Sequence, residues 1–314
     1  MRGQRLSRRP FFQIFLGHTL LRMSYALPRR TEIVLEGAEN VPANAPVFFA
    51  MNHTDRYNYW PFQYGMWRRG MRFTATWVKG KYFEHPLMAR FMIATNNIPL
   101  PSRGYVIVTE FRRRMKRVPT PEEYRALRDL SDGIPDAGMA VGGELAALLA
   151  GGTFLREFET LFAAMNAEVV RLNRQALFEK ELNVLVFPQG TRSIRLSTGH
   201  IGLAQMSQHF GVPIVPVGCN GSDHLYPGGS PWSKGGRVVY RIGKPLALDG
   251  PEIGRFRVAT PFVPFSRDAQ SAHVSSFRAI TDVVMDAINE LLDPPYRYAA
   301  DKSSDGVRDV SRFV

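Results

Sequence analysis

The chain has 314 residues, of which 45% are hydrophobic and 22% are charged. This balance excludes a wholly disordered, a collagen-like and a multi-span membrane protein, and the length suffices for one large domain or two small ones. The formal net charge is +12, distributed unevenly: residues 1–30 carry +7 and residues 68–117 carry +10, so that the rest of the chain carries −5. Two basic segments on a mildly acidic body indicate a polyanionic partner, either nucleic acid or an anionic membrane surface.

The chain contains a single cysteine, Cys219. One cysteine excludes an intramolecular disulfide and a cysteine-based metal cluster, so we expect a reducing compartment. No apolar run reaches the roughly 18 residues that a transmembrane helix requires. The sequence therefore predicts no ordinary membrane-spanning helix.

Residues 1–30 are expected to form a membrane-associating segment. Their short apolar stretch is interrupted by Gln13, His18 and Arg22, which argues against a secretory signal peptide. The pattern suits an amphipathic helix in a membrane interface, with its arginines directed at anionic lipid. A helix packed on the protein's own core is the alternative. The apolar positions are Phe11, Ile14, Phe15, Leu20 and Leu21.

From Thr31 onward, short apolar runs alternate with longer helical patterns, which predicts an α/β layered domain. We expect this domain to span residues 31–293, with a helical insertion at about 104–165 and a polar, frayed tail at 294–314. The candidate strands are residues 33–35, 47–51, 73–78, 97–100, 184–187, 214–217 and 238–242. The candidate helices are residues 62–69, 86–94, 122–130, 154–178, 203–209 and 274–292.

Two motifs carry chemistry, and each follows a candidate strand. In the first, His53 comes directly after an apolar strand, where an imidazole is well placed to act in a cleft. In the second, a strand runs into a Pro/Gly turn that presents Gly190, Thr191 and Arg192, a plausible cradle for phosphate through backbone N–H groups and a guanidinium. Each motif taken alone also has a purely structural explanation.

Together and in this order, the motifs resemble those of the PlsC-type glycerolipid acyltransferases. Residues 52–58, N-H-T-D-R-Y-N, are similar to the family's N-H-x-x-x-x-D, and residues 187–193, F-P-Q-G-T-R-S, are similar to its F-P-E-G-T-R-S. Residues 97–103 look like a further block that ends in arginine, and residues 212–217 match V-P-I-V-P-V. The resemblance covers residues 32–245 and implies one domain whose central mixed sheet is flanked by helices.

The resemblance implies acyl transfer from acyl-CoA or acyl carrier protein to a hydroxyl of a lysophospholipid, a glycerol phosphate or a related lipid acceptor. By that resemblance, His53 would be the general base, and Arg103 and Arg192 would hold the acceptor's phosphate, a task suited to a planar, permanently charged fork. Gln189, Gly190 and Thr191 would belong to the same acceptor site. An acyl pocket would be shaped by Val212, Pro213, Ile214 and Pro216, for which an ordinary buried strand is the alternative. No metal and no cofactor is expected.

Two departures from the family pattern fall in this predicted site. Asn58 stands where the family has the aspartate that orients the histidine, and Gln189 stands where it has glutamate. An asparagine can still hydrogen-bond an imidazole, but it cannot stabilise imidazolium as a carboxylate does. Asp55 is the alternative orienting residue, since two residues that are two apart on an extended backbone lie on the same side. A neutral Gln189 also suggests an acceptor other than plain glycerol 3-phosphate.

These departures leave three functions open: an active peripheral O-acyltransferase on the cytoplasmic side of a membrane, a catalytically impaired relative that binds lipid or acyl groups, and an acyltransferase for a non-glycerolipid acceptor. The basic residues of the insertion would contact anionic headgroups or an acidic carrier protein, or would form a solvated helix face. They are Arg112, Arg113, Arg114, Lys116 and Arg117. No nucleic-acid partner is expected, because no aromatic-interleaved or helix-turn-helix pattern accompanies the charge.

Overall fold

The computed structural model describes residues 3–131, 134, 143–149 and 152–306. Parts of the predicted insertion and residues 307–314 of the predicted tail lie outside the described residues. The strands are β1 (Thr31–Glu36), β2 (Phe48–Met51), β3 (Thr74–Lys79), β4 (Asn97–Leu100), β5 (Asn183–Val186), β6 (Ile214–Asn220) and β7 (Gly236–Ile242).

The helices lie mostly between these strands. They are α1 (Phe11–Leu16), α2 (Arg22–Ala26), α3 (Tyr59–Arg68), α4 (Pro86–Ala94), α5 (Arg103–Met115), α6 (Pro121–Ser131), α7 (Glu144–Leu149), α8 (Thr153–Arg174), α9 (Gly202–Phe210), α10 (Ser222–Leu225) and α11 (Arg267–Glu290). A π-helical turn, Gly17–Leu21, joins α1 to α2, and another, Gln175–Glu179, follows α8. The helices predicted with bounds are all present, and α5 lies within the insertion that was expected to be helical.

The strands form one seven-stranded mixed sheet in the order β1-β7-β6-β2-β5-β3-β4. Strand β2 is parallel to both of its neighbours, β5 and β6, whereas β6 and β7 are antiparallel. The predicted α/β class and the central mixed sheet flanked by helices are confirmed. Every residue of β2, β5 and β6 is buried, which explains why these strands read as continuous apolar runs rather than as alternating ones.

Helices cover the sheet, and the core lies where their side chains pack against those of the strands. On one side Phe62 and Met66 of α3 pack with Phe49 and Met51 of β2. Helix α11 contacts β6 and β2. It buries Phe277, Ile280, Val284 and Ile288, at the three- and four-residue spacing of a helix face that packs against a core.

The chain divides into two compact units. The sheet unit comprises Arg5–Trp77, Ala94–Asn97 and Asn173–Val314, and the helical unit comprises Met1–Gln4, Val78–Ile93 and Ile98–Leu172. The helical unit has a hydrophobic cluster of its own, formed by residues of α5, α6, α7 and α8. These residues are Val106, Ile107, Phe111, Ala126, Leu127, Leu145, Phe154 and Phe158.

The N-terminal segment is exposed at its first helix and buried near its end. Phe11 is 78% exposed and Phe15 is 50% exposed, whereas Tyr25 is buried in the core of the sheet unit. The Tyr25 hydroxyl lies 3.2 Å from the Tyr226 hydroxyl, within hydrogen-bond distance. The first helix therefore presents apolar rings to solvent, and the end of the segment packs against the protein. No helix in the described parts of the chain is both long and apolar enough to cross a membrane.

Candidate active site

The two sequence motifs meet because the strands that precede them are parallel neighbours. Strand β2 leads into residues 52–58, which we call the histidine loop, and β5 leads into residues 187–197, which we call the arginine loop. The carboxyl ends of parallel strands lie at one edge of a sheet, where α/β proteins commonly bind ligands. Asn52 extends the pairing of β2 with β6, since its amide donates to the Cys219 carbonyl (2.9 Å) and accepts from the Cys219 N–H (2.7 Å).

His53 is held by the arginine loop through its backbone and its ring. The His53 N–H donates to Gln189 Oε1 (3.0 Å), and the Ser193 N–H donates to the His53 carbonyl (2.8 Å). The imidazole stacks on the Phe187 ring, with centroids 4.1 Å apart and an interplanar angle of 19°. The position of His53 is thus set by three contacts from one neighbouring loop.

Asn58 determines which ring nitrogen of His53 carries the proton. Asn58 is fully buried, and its Nδ2 donates to the Asn52 carbonyl at 2.8 Å. Because a carbonyl can only accept, this bond fixes which end of the Asn58 amide is oxygen. Asn58 Oδ1 therefore faces His53 Nδ1, at 3.1 Å, and accepts the Nδ1 proton. A neutral ring that carries its proton on Nδ1 has its lone pair on Nε2, the atom that would act as a base.

Gln189 has the same kind of fixed orientation. It is only 3% exposed, and its Nε2 donates to the Arg195 carbonyl and to Ser197 Oγ, both at 3.3 Å. Its oxygen accepts the His53 N–H. A glutamate would set a carboxylate oxygen against the Arg195 carbonyl, two acceptors between which only the Ser197 hydroxyl could donate. Both departures from the family pattern therefore provide an N–H group that a carboxylate would lack.

Asp55, the alternative orienting residue, makes its hydrogen bonds elsewhere. Its carboxylate accepts the Tyr57 N–H (2.8 Å) and the Thr54 hydroxyl (3.0 Å). Burial raises the pKa of Asp55 to about 6, and the hydrogen bonds that it accepts only partly oppose this effect. The hydrogen-bond geometry thus favours Asn58 over Asp55 as the partner of His53 Nδ1.

The turn of the arginine loop requires glycine and presents a free guanidinium. Gly190 has φ +69°, and a Cβ there would lie 2.7 Å from a ring carbon of His200. Thr191 is exposed and Arg192 is half-buried. Among the described residues, the Arg192 side chain has no hydrogen-bond or ion-pair partner. Arg192 is therefore free to meet an anionic group.

Arg103, the other arginine predicted to bind phosphate, belongs to the helical unit. It begins α5, donates to the Ser131 carbonyl, and lies over the Phe162 ring at 5.4 Å from the centroid. Those contacts orient its guanidinium within that unit. A joint role with Arg192 stays a prediction.

The four residues predicted to shape an acyl pocket lie at or just before the start of β6. Val212 and Ile214 are buried, and Pro216 is paired in register with Ala50 of β2. The Pro213 carbonyl accepts the Phe48 N–H at 3.0 Å. Packing and pairing in the sheet account for these contacts, and the role in an acyl pocket stays a prediction.

The C-terminal segment contributes contacts that the sequence did not indicate. Asp305 Oδ2 accepts the Arg195 N–H, and the Asp305 N–H donates to Ser193 Oγ, both at 3.1 Å. The Tyr296 carbonyl accepts the Leu196 N–H at 2.8 Å. Residues 294–306 are therefore attached to the arginine loop rather than frayed as expected. The only hint in the sequence is the Pro-Pro-Tyr at 294–296, an unusually rigid and aromatic start for a polar tail.

No group of three or more His, Cys, Asp or Glu side chains is arranged to hold a metal ion in the described part of the chain. No family model and no curated protein matches this sequence. Among solved structures, the crystal structure of the 1-acyl-sn-glycerophosphate (LPA) acyltransferase PlsC from Thermotoga maritima is similar at 18% sequence identity and a TM-score of 0.44. That similarity covers 90% of this chain and 80% of the other. At such a level the activity has to be judged from the site itself.

Proposed function

We propose that this protein is an acyltransferase that moves an acyl group from a thioester to the hydroxyl of a lipid acceptor, with His53 as general base. The observation that carries the proposal is the hydrogen bond between His53 Nδ1 and Asn58 Oδ1, with the Asn58 amide oriented by the Asn52 carbonyl. This arrangement supports the tautomer that base catalysis needs. The motif resemblance supplies the reaction class.

In the proposed reaction, Nε2 of His53 accepts the proton of the acceptor hydroxyl while its oxygen attacks the thioester carbonyl carbon. A C–O bond forms and the C–S bond breaks. The thiolate leaves and takes up the proton from the imidazolium. The acyl group passes directly to the acceptor, and no cofactor takes part.

Within this proposal, Arg192 binds a phosphate of the acceptor, because its guanidinium has no partner in the described chain and follows the turn at Gly190. Gln189 acts differently from the sequence-based expectation. Its polar atoms hold His53, Arg195 and Ser197, so it positions the base rather than touching the acceptor. The acceptors proposed are lysophospholipids, glycerol phosphates and related lipids, and the donor is acyl-CoA or acyl carrier protein.

A non-catalytic lipid-binding protein is the second candidate, and the neutral Asn58 favours it. A serine protease loses about 10⁴ in rate when its aspartate becomes asparagine, largely because the wrong tautomer is stabilised. Here the Asn52 carbonyl selects the right tautomer, so that loss would not apply in full. The two candidates therefore differ in measurable turnover.

The deciding experiment supplies a labelled acyl donor, either acyl-CoA or acylated acyl carrier protein, together with each member of an acceptor panel. The panel contains lysophospholipids, glycerol phosphates and non-glycerolipid acceptors. His53→Ala should lower kcat by about 10²–10⁴, the usual contribution of a general base. His224→Ala is the matched control, since the His224 side chain is 80% exposed. Turnover that survives His53→Ala unchanged would exclude His53 as the base. Acyl or lipid binding without turnover on any acceptor would support the second candidate.

A further inference from the structure

A cavity of about 440 Å³ lies in the sheet unit between α2, β1 and α3. Four arginines line it, Arg22, Arg30, Arg68 and Arg69. Its remaining wall includes Tyr25, Ile33, Leu35 and Tyr64. The lining contains no residue of the histidine loop or of the arginine loop. The cavity is therefore a separate concavity, lined by arginines together with apolar and aromatic side chains.

The charge of this cavity is not neutralised by the protein. None of the described lining residues is acidic. Within the described chain, the side chains of Arg22, Arg30 and Arg68 have no hydrogen-bond or ion-pair partner, and Arg69 Nη1 donates to the Leu35 carbonyl (3.2 Å). Guanidinium groups that share one concavity repel each other, and an anion placed among them would relieve that repulsion.

The acidic residues of β1 are turned away from the cavity. Thr31, Ile33 and Leu35 line it, whereas Glu32 and Glu36 alternate with them along the strand. Glu36 pairs with Arg241 at 3.0 Å, and Glu32 lies 3.7 Å from Arg237. The strand thus directs its carboxylates to arginines of β7 and leaves the arginines of the cavity unpaired.

Exposed apolar side chains adjoin the lining residues along the chain. Met23 follows Arg22 and is 55% exposed, and Leu27 follows Ala26 and is 59% exposed. Phe11 and Phe15 of α1 are exposed as well. Apolar side chains beside arginines suit the boundary between lipid headgroups and acyl chains.

We infer that this cavity binds the phosphate group of an anionic phospholipid at the membrane surface. A guanidinium fork binds phosphate oxygens in pairs, and a phosphate group has enough oxygens to accept from more than one of these arginines. The inference adds Arg68 and Arg69, from the end of α3, to the N-terminal arginines that the sequence directs to a membrane. It does not depend on acyl transfer.

The test compares two charge-matched triple variants of the full chain. The cavity variant is Arg22→Gln, Arg30→Gln, Arg68→Gln. The control variant is Arg156→Gln, Lys244→Gln, Arg257→Gln, whose side chains are exposed and have no hydrogen-bond or ion-pair partner among the described residues. Binding is measured to phosphatidylcholine vesicles with and without phosphatidate and, separately, to inorganic phosphate, after thermal melts show that both variants fold.

We expect the cavity variant to lose roughly tenfold or more in affinity for phosphatidate vesicles, and the control to lose roughly threefold at most. If the parent protein binds inorganic phosphate and only the cavity variant loses that binding, the result supports a phosphate site. If the parent protein binds phosphatidate vesicles but not inorganic phosphate, the ligand is the lipid. Equal losses in both variants, or no loss in the cavity variant, would overturn the inference. His53→Ala should keep full vesicle binding, which separates this result from a failure of the proposed catalysis.

Discussion

The histidine loop and the arginine loop follow neighbouring parallel strands, yet they are held in different ways. In the histidine loop, the side chains of Asn58 and Asp55 are oriented by bonds across a few residues, Asn58 to the Asn52 carbonyl and Asp55 to the Tyr57 N–H. The arginine loop depends on distant parts of the chain, with Asp305 bound to Arg195 and Ser193 across more than 100 residues. The amide that faces His53 Nδ1 is therefore oriented locally, whereas the position of His53 itself and the arginine loop depend on tertiary contacts.

The largest effect should come from removing the local orientation of the imidazole. Asn58→Ala deletes the acceptor for His53 Nδ1 and leaves the Asn52 carbonyl without its donor, so we expect kcat to fall by about 10²-fold or more. Steady-state kinetics with the best acceptor measure this. Asp55→Asn keeps the local turn and serves as the control. A loss confined to Asp55→Asn would instead identify Asp55 as the orienting residue.

Next in size is Gln189→Glu, which introduces the glutamate of the motif that residues 187–193 resemble. At a site that is 3% exposed, a charged oxygen would face the Arg195 carbonyl, so the free energy of unfolding should fall by about 2–3 kcal/mol at neutral pH. Denaturant unfolding measures the change. The deficit should shrink in acid, where the glutamate takes up a proton and can donate. A variant as stable as the parent at neutral pH would contradict the amide orientation described here.

An effect of comparable size is expected from Asp55, as a dependence of the free energy of unfolding on pH. Its pKa is raised from 3.8 to about 6, so the folded state holds the proton more tightly than the unfolded state. The parent protein should therefore lose stability relative to Asp55→Asn as pH rises from about 4 to about 7, by roughly 3 kcal/mol in total. Unfolding free energies of both proteins at several pH values give the difference. A difference that stays constant with pH would show that Asp55 has its ordinary pKa.

The smallest effect should come from the distant support of the arginine loop. Asp305→Ala removes the acceptor of the Arg195 N–H, and we expect a cost of about 1 kcal/mol and a drop of a few-fold in kcat/KM. Asp301→Ala is the matched control in the same segment, because Asp301 accepts only the nearby Ser303 N–H among its described hydrogen bonds. Equal effects of the two substitutions would mean that the loop does not depend on Asp305.

Much of the fold could be predicted because its buried strands are recognisable in the sequence. Strands β2 and β5 read as short apolar runs bounded by turns, and burial on both faces is the physical reason. Helix α5 lies in the segment expected to be a helical insertion, but its bounds were not predicted, because its Val-Ile-Val-Thr run is rich in β-branched residues and only Val106, Ile107 and Phe111 reveal the helical face.

The residues of the candidate site could be named from the sequence, but their geometry could not. His53 and Asn58 could be named from their motif, but the orientation of the Asn58 amide depends on the Asn52 carbonyl, which no residue pattern shows. The role of Gln189 likewise depends on the Arg195 carbonyl. The contact of Asp305 with the arginine loop spans 110 positions, far beyond the reach of local patterns.

The attachment of Asp305 to the arginine loop has a consequence for synthesis on the ribosome. Strands β1 to β7 and both loops leave the ribosome before residue 305 is made, so the sheet can pair while Arg195 and Ser193 still lack their last partner. The contacts of Asp305 with the arginine loop can form only once residue 305 has emerged. Nascent chains that stop short of Asp305 would thus form the sheet without the hydrogen bonds from Asp305 to Arg195 and Ser193.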